Sequence, residues 1–223
     1  NSGTEMPNPK LALFGSFVLA TLIAQGSLAT AQAQQIATAQ PTPVSTSIIT
    51  PGFVDNLRNS LVQPVTILSV GASNVRHEGV QQAEIDTLDN TWKTEAKSDD
   101  QPLIAEILSS PLSSYLLYVQ AKSAGLFTEI FVMDKFGLNV GQSSVTSDYW
   151  QGDEDKFQKT YAVGPDAVFI DEPEFNEDTK TWRTQVNFTI VDPESKVAIG
   201  AATAEINLTE LQRRLDLGLT AAQ

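Results

Sequence analysis

The fold is decided by the run Leu126-Phe127-Thr128-Glu129-Ile130-Phe131-Val132-Met133-Asp134, which leads into the turn Asp134-Lys135-Phe136-Gly137. β-Branched and aromatic residues are enriched in strands, and a glycine that closes a short polar run is typical of a turn. The run therefore predicts a strand, followed by a second short strand over residues 138–141. Two longer strands are predicted at residues 181–192 and 196–206, with an Asp-Pro turn between them.

The first of these longer strands alternates clearly in polarity. One face carries Trp182, Thr184, Val186, Phe188 and Ile190, and the other carries Arg183, Gln185, Asn187 and Thr189. Because successive side chains point to opposite faces, the apolar face should pack on helices and the polar face should look into a cavity or solvent. The last strand places four small residues on one face: Ala198, Gly200, Ala202 and Ala204. Such a row leaves room either for a closely packed element or for the floor of a pocket.

Helical periodicity precedes this predicted sheet. Thr50 and Pro51 suit an N-cap and a first helical position. Apolar residues then recur at helical spacing, at Phe53, Leu57, Leu61, Val65 and Leu68. Pro64 lies inside that pattern and predicts a kink in one long helix. Further helices are predicted at residues 80–97 and 103–108, after Ser110-Pro111, and at 207–217. The predicted fold class is α+β, with a central antiparallel sheet and a long N-terminal helix packed on one face.

The first part of the chain has the pattern of an export signal. Lys10 supplies a positive charge, residues 11–23 are mostly apolar, and Ala29-Thr30-Ala31 or Ala31-Gln32-Ala33 fits a cleavage site between small residues. We therefore expect a signal peptide over residues 6–33, a flexible linker over 34–50 and one domain over 51–217. The protein is expected to be periplasmic or secreted after cleavage near Ala31 to Ala33. The alternative is an inner-membrane anchor formed by residues 11–28.

Composition argues against several classes of function. The chain has 223 residues, a net charge of −13, no cysteine and one histidine, His77. A strongly acidic protein is repelled by nucleic acid, and a lone histidine supports neither a catalytic triad nor a histidine-rich metal site. His77 is interpreted as a cationic residue at a helix end. The sequence therefore predicts no catalytic residue, no metal, no cofactor and no nucleic-acid partner, and we expect a protein that is not an enzyme.

The order of elements resembles a known family. The order begins with a long amphipathic helix and further helices, followed by a hairpin that ends in Met-Asp-x-x-Gly. The loop Asp148-Tyr149-Trp150 comes next, and then a final hairpin that leads into Ile199-Gly200-Ala201. This order is similar to that of Cache or PDC domains, which are extracytoplasmic PAS-like sensor modules. The resemblance covers roughly residues 52–217. It implies a ligand pocket under the loops between Asp148 and Asp171. Family members are usually joined to output modules. A chain without its own output domain would have to contact another protein, such as a membrane-bound sensor protein, or deliver a ligand, or keep an N-terminal anchor.

Six residues are candidates for ligand binding: Asp148, Tyr149, Trp150, Asp171, Arg183 and Gln185. The resemblance implies that Asp171 matches the Asp that holds a ligand amine, whereas the Arg that holds a ligand carboxylate is absent beside Trp150. We therefore expect a polar or amine-like small molecule. Two neighbouring aromatic residues in a polar loop fit either a pocket wall or an anchor to the core.

Two other classes of function remain open at this point. The first is a structural or interaction subunit of an envelope complex without a ligand. The second is a hydrolase that uses clustered carboxylates, such as Asp153, Glu154 and Asp155, although an acidic loop in so acidic a chain is more often simply solvated. A cavity beside Trp150 would favour the ligand-binding class, and a filled core there would favour the subunit.

Overall fold

A computed structural model describes residues 41–219 of the chain, and seven α-helices and six strands lie within that part. The five helices that come first are α1 Pro51–Leu61, α2 Pro64–Arg76, α3 Gln82–Glu95, α4 Pro102–Leu108 and α5 Pro111–Lys122. The remaining elements are β1 Phe127–Asp134, β2 Asn139–Gln142, α6 Asp155–Gln158, β3 Val168–Ile170, β4 Glu174–Asn176, β5 Thr181–Val191, β6 Ala198–Asn207 and α7 Leu208–Asp216.

The strands form one antiparallel sheet in the order β2-β1-β6-β5-β3, and β4 also pairs with β5. The predicted α+β class with a central antiparallel sheet is therefore confirmed. The predicted turn at the end of β1 is present. Gly137 adopts a φ of +81° there, which a residue with a side chain rarely does.

The predicted long, kinked N-terminal helix is instead two helices. The side chain of Thr50 accepts a hydrogen bond from Phe53 N at 3.2 Å and caps α1, as predicted. Pro64, however, occupies the first position of α2, where its missing N–H costs nothing. The break resets the helical phase, so that Val70 is fully buried while Leu68 is 73% exposed. The helical repeat predicts that Leu68 packs inward together with Leu57 and Leu61, and for this reason that part of the prediction was wrong.

The apolar face of β5 forms the main core with the helices. Trp182, Val186, Phe188 and Ile190 lie in one buried cluster with residues of α1, α2 and α5. The row of small residues on β6 lies on this side as well. A Cβ at Gly200 would collide with the carbonyl oxygen of Met133 and would lie 3.2 Å from Val70 Cγ1. The space that the small residues leave is therefore taken up by close packing.

The folded unit begins ahead of α1. Thr46–Ile48 forms a short 3-10 turn, Ile49 is buried, and Val44 and Ile48 pack against the main core. This end of the predicted linker is thus part of the folded unit. The predicted signal peptide and residues 34–40 of the linker lie outside the described residues. Within residues 41–219, no helix combines the length and the apolar character needed to cross a membrane.

Candidate functional site

The sheet face opposite the helices carries three cross-strand rows of side chains. Strand register places Glu129, Glu205 and Gln185 in the first row, Phe131, Thr203 and Asn187 in the second, and Met133, Ala201 and Thr189 in the third. Side chains that lie opposite each other on neighbouring strands are within contact range, so each row forms one local environment. The first row is charged and polar, whereas the other two mix apolar and uncharged polar groups.

The second and third rows are closed by the segment that contains α6. Phe157 is buried against Phe131, Met133 and Ala201, and its ring stacks on Tyr161 with centroids 5.1 Å apart. The polar groups of these rows are satisfied internally: Thr203 Oγ1 donates to Asn187 Oδ1 at 2.7 Å, and Thr189 Oγ1 donates to Gly164 O at 2.7 Å. The second and third rows are therefore filled by protein groups, and the cavity on this face lies beside the first row.

A cavity of about 210 Å³ lies beside that first row. Six acidic and two basic residues contribute to its lining, together with Thr184 and Gln185. The charged members are Glu154, Asp155, Asp171, Glu172, Glu174, Glu205, Lys156 and Arg183. We call this space the polar cavity. Because acidic side chains outnumber basic ones in the lining, the potential of the cavity favours cations.

Both cations of the polar cavity already have partners. Arg183 Nη1 lies 2.9 Å from Glu205 Oε2, and Arg183 Nη2 donates to Thr179 Oγ1 at 3.1 Å. Lys156 Nζ lies 2.7 Å from Glu154 Oε2 and donates to Gln151 Oε1 at 3.2 Å. The positive charges of the lining are therefore compensated by protein groups.

Three carboxylates of the lining make no ion pair with any residue in 41–219: Asp171, Glu172 and Glu174. Asp171 is held in place by its backbone, because its N–H donates to Gln185 O at 3.0 Å and its carbonyl accepts from Thr184 Oγ1 at 2.6 Å. Residues 171–174 thus present three carboxylates without an ion-pair partner in 41–219, and these two bonds fix the backbone of Asp171.

Glu129 adds a further carboxyl group to the first row. Its Oε1 accepts a hydrogen bond from Ser144 Oγ at 2.8 Å, and Glu205 lies opposite on β6. Burial foremost, and then the charge of Glu205, raise the pKa of the Glu129 carboxyl above its ordinary range. A cation that binds beside Glu129 and Glu205 would stabilise the ionised forms of both carboxylates.

The raised pKa of Glu129 has a measurable consequence. The folded protein holds this proton more tightly than the unfolded chain does, so stability falls as pH rises from the ordinary carboxyl pKa up to the raised one. We expect Glu129→Gln to remove this loss. Chemical denaturation between about pH 4 and about pH 7 should show a smaller fall in unfolding free energy for the variant than for the wild type. Glu194→Gln, in an exposed turn, is the matched control, and an equal change in both variants would contradict the assignment.

The structure divides the six predicted site residues into two groups. Asp171, Arg183 and Gln185 line the polar cavity. Asp148, Tyr149 and Trp150 lie elsewhere, against α3 and α4. Asp148 Oδ1 pairs with Lys93 Nζ at 2.7 Å.

The two loop aromatics are packed against the protein. Tyr149 is 3% exposed and stacks on Trp92 with centroids 5.4 Å apart, within a buried cluster of apolar residues. Trp150 Nε1 donates to Phe136 O at 2.8 Å. The backbone N–H groups of both residues donate to Asp89 Oδ1, at 2.9 and 3.1 Å. The loop is therefore anchored to α3, and neither aromatic contributes to the lining of the polar cavity.

Sequence reasoning missed Glu129, Glu205 and Lys156. Glu129 and Glu205 are polar residues within strands that are otherwise mostly apolar, and this pattern is visible in the sequence. Lys156 comes from a short helix between predicted strands and carries no such signal. Among residues 41–219, no group of three or more histidine, aspartate or glutamate side chains is arranged to hold a metal ion.

His77 lies at the end of α2, where it was predicted, but its role is more specific than a favourable helix dipole. Its Nδ1 lies 2.7 Å from Asp134 Oδ2, and Ser73 Oγ donates to the same carboxylate oxygen at 2.9 Å. This contact joins α2 to the turn after β1. The arrangement is a structural junction and lies apart from the polar cavity.

No family model matches the sequence. No curated protein matches it either. Solved structures do match. The sensor domain of the V. cholerae histidine kinase DctB matches over 73% of this chain and 58% of its own, with 11% identity and a TM-score of 0.34. The ligand-binding domain of the Campylobacter jejuni chemoreceptor Tlp3, in complex with L-valine, matches over 74% and 67%, with 13% identity and a TM-score of 0.36.

A third match is the ligand-binding domain of the Pseudomonas aeruginosa PAO1 amino acid chemoreceptor PctC in complex with GABA. It matches over 73% of this chain and 67% of its own, with 14% identity and a TM-score of 0.33. The chain spans 58% to 66% of the first three matched chains. These proteins are sensor domains of the Cache/PDC type that the sequence resembles. At TM-scores below 0.5 the likeness carries no argument about the site, whose chemistry follows from its own residues.

Proposed function

We propose that this chain is a ligand-binding sensor module whose polar cavity binds a small cationic or amine-bearing molecule. The observation that carries the proposal is that Asp171, Glu172 and Glu174 form no ion pair with any residue in 41–219, in a cavity whose two basic residues are already paired. An ammonium group placed there forms charge-assisted hydrogen bonds, which are roughly twice as strong as neutral ones. The proposed role is non-catalytic, and its output is contact with a membrane-bound sensor protein.

An anionic ligand is disfavoured by the same geometry. A carboxylate that approaches Arg183 has to compete with Glu205, which already lies 2.9 Å from the guanidinium. Such a ligand also meets the carboxylates of residues 171–174, which form no ion pair with any residue in 41–219. The cavity volume of about 210 Å³ is below the usual range of about 300–1,000 Å³ for small-molecule sites, which favours a compact ligand.

A thermal-shift screen tests this proposal with three molecules of matched chain length: putrescine, butanediol and succinate. Amino acids and purines complete the set. We expect putrescine to stabilise the protein and succinate to leave it unchanged. A ligand at a hundred times its dissociation constant adds about 2.7 kcal/mol to the unfolding free energy. For a domain of this size, that should raise the midpoint by roughly 5–10 °C.

Matched variants locate the effect. Asp171→Asn removes a carboxylate from the polar cavity, whereas Asp178→Asn makes the same change in the exposed β4–β5 turn. The shift should shrink in the first and persist in the second. Hits confined to dicarboxylates, lost in Arg183→Ala and kept in Asp171→Asn, would contradict a cationic ligand and assign the site to an anion.

We propose in addition that the protein is exported, on the basis of Lys10, the apolar run and the two Ala-x-Ala sites. N-terminal sequencing of protein recovered from a bacterial periplasm is expected to begin at Gln32 or Gln34. Recovery in the membrane fraction with Met6 intact would contradict cleavage and support an anchor.

Two observations favour a second candidate function, that of an interaction subunit. The first is that Tyr149 and Trp150 are packed against the protein, which is the outcome expected for that class. The second is a pair of exposed apolar side chains on α2. Leu68 and Val75 are seven residues apart on α2, and they are 73% and 77% exposed. This spacing places them on one side of the helix, where an apolar contact with another protein would cover them. This function would be favoured over ligand binding by two results together. No molecule of the screen would stabilise the protein, and a partner protein would bind the wild type but not Leu68→Ser.

A further inference from the structure

A second cavity lies on the helical side of the sheet, away from the polar cavity. It has a volume of about 290 Å³ and is bounded by α1, α5, the start of β1 and one side chain of α7. Aromatic rings supply much of its wall: Phe53, Tyr115, Tyr118 and Phe127. We call this space the aromatic cavity. Its size and apolar wall are those of a site for a small organic molecule.

The charge of the aromatic cavity is opposite to that of the polar cavity. Its lining contains Lys122 and Arg214 and no acidic residue, in a chain that carries 27 acidic residues and 14 lysines and arginines. The Lys122 ammonium lies 5.4 Å from the centroid of the Tyr118 ring. It forms no ion pair with any residue in 41–219. Lys122 is therefore a cation at the edge of an apolar space with its charge uncompensated.

Arg214 has a different role in the same cavity. Its guanidinium is buried, with Nε donating to Glu210 Oε1 at 2.8 Å and Nη2 donating to the carbonyls of Ser123 and Ala124 at 2.7 and 3.1 Å. These bonds fix α7 against the end of α5, the helix that carries Lys122. Arg214 thus makes one end of the cavity rigid, while its charge is already compensated by Glu210.

We propose that the aromatic cavity binds a small amphipathic carboxylate, such as a medium-chain fatty acid or an arylalkanoic acid. The apolar part of the ligand lies against Phe53, Tyr115 and Phe127, and its carboxylate pairs with the Lys122 ammonium. Burial of apolar surface supplies the affinity, and the unpaired ammonium supplies the selectivity for an anion. This site differs from the polar cavity in position, in the sign of its charge and in the class of its ligand.

The test is isothermal titration of the full chain with octanoate, octanol and octylamine, which share one apolar tail. We expect saturable binding of octanoate at one site, and binding of octylamine weaker by about tenfold or more, because its ammonium meets Lys122. Lys122→Gln should weaken octanoate by about threefold to fivefold, because Lys122 is exposed and an exposed ion pair contributes at most about 1 kcal/mol. Lys97→Gln is the matched control, because Lys97 is also exposed and contributes nothing to the aromatic cavity. Asp171→Asn should leave octanoate binding unchanged, which separates this site from the proposed amine site.

Phenylbutyrate, titrated in the same way, distinguishes an aromatic from an aliphatic tail, and tight binding of either acid supports the proposal. Three results would overturn it. They are the absence of saturable binding for both acids, equal affinities for octanoate and octylamine, and octanoate binding that is unchanged in Lys122→Gln. A stable dimer that forms without ligand and is lost in Tyr118→Ser would also overturn it, because a second copy would then cover the cavity.

Discussion

Replacing Phe188 by alanine is expected to lower the free energy of unfolding by about 3–5 kcal/mol. Phe188 lies in the middle of β5 and is fully buried in the main core, and the guanidinium carbon of Arg58 lies 4.7 Å from the centroid of its ring. Truncation removes the packed ring and leaves a cavity that the sheet and α1 cannot close without moving. The loss should appear as a lower denaturation midpoint with an unchanged dependence on denaturant concentration.

Gln185 is the matched control for this prediction, because it lies on the same strand and faces the other side. Its side chain borders the polar cavity. We expect Gln185→Ala to change stability by no more than about 0.5 kcal/mol. Comparable losses in the two variants would mean that the assigned register of β5 is wrong.

The second large effect is expected for Asp134→Ala, at about 3–5 kcal/mol. The Asp134 carboxylate is fully buried, and its Oδ1 accepts from the backbone N–H groups of Phe136 and Leu138 at 2.9 and 3.1 Å. Its Oδ2 holds Ser73 and His77 of α2. Alanine would leave several buried donors without a partner, and it would uncouple α2 from the β1–β2 hairpin.

A surface ion pair at the same turn provides the comparison. Glu78 pairs with Lys135 at 2.6 Å, and the Glu78 side chain is largely exposed. Exposed pairs contribute at most about 1 kcal/mol, so Glu78→Ala should change stability only slightly. A loss in Asp134→Ala no larger than that in Glu78→Ala would contradict the structural role of the buried carboxylate.

The strands could be predicted from sequence because period-two alternation determines which side chains face the core. Val186, Phe188 and Ile190 lie where that alternation places them. The break at Pro64 could not be predicted with the same certainty, because a proline fits both a kink within a helix and the first turn of a new one. Leu68 is exposed because Pro64 begins a new helix, which changes the face on which Leu68 lies.

The candidate site could be predicted only in part. Arg183 and Gln185 follow from the polar face of β5, but their neighbour Glu205 depends on the pairing of β5 with β6. Residues that meet only through strand register carry no local signal in the sequence. Tyr149 was ambiguous for a similar reason. Its position is determined by Trp92, a residue on a distant helix.

The most direct test of the amine site is a crystal structure of the protein grown with putrescine. We expect an ammonium group of putrescine in the polar cavity, within about 2.7–3.2 Å of a carboxylate oxygen of Asp171, Glu172 or Glu174. Arg183 should keep its ion pair with Glu205 in that complex. A polar cavity without bound putrescine at a saturating concentration, or one that holds an anion against Arg183, would contradict the proposed function.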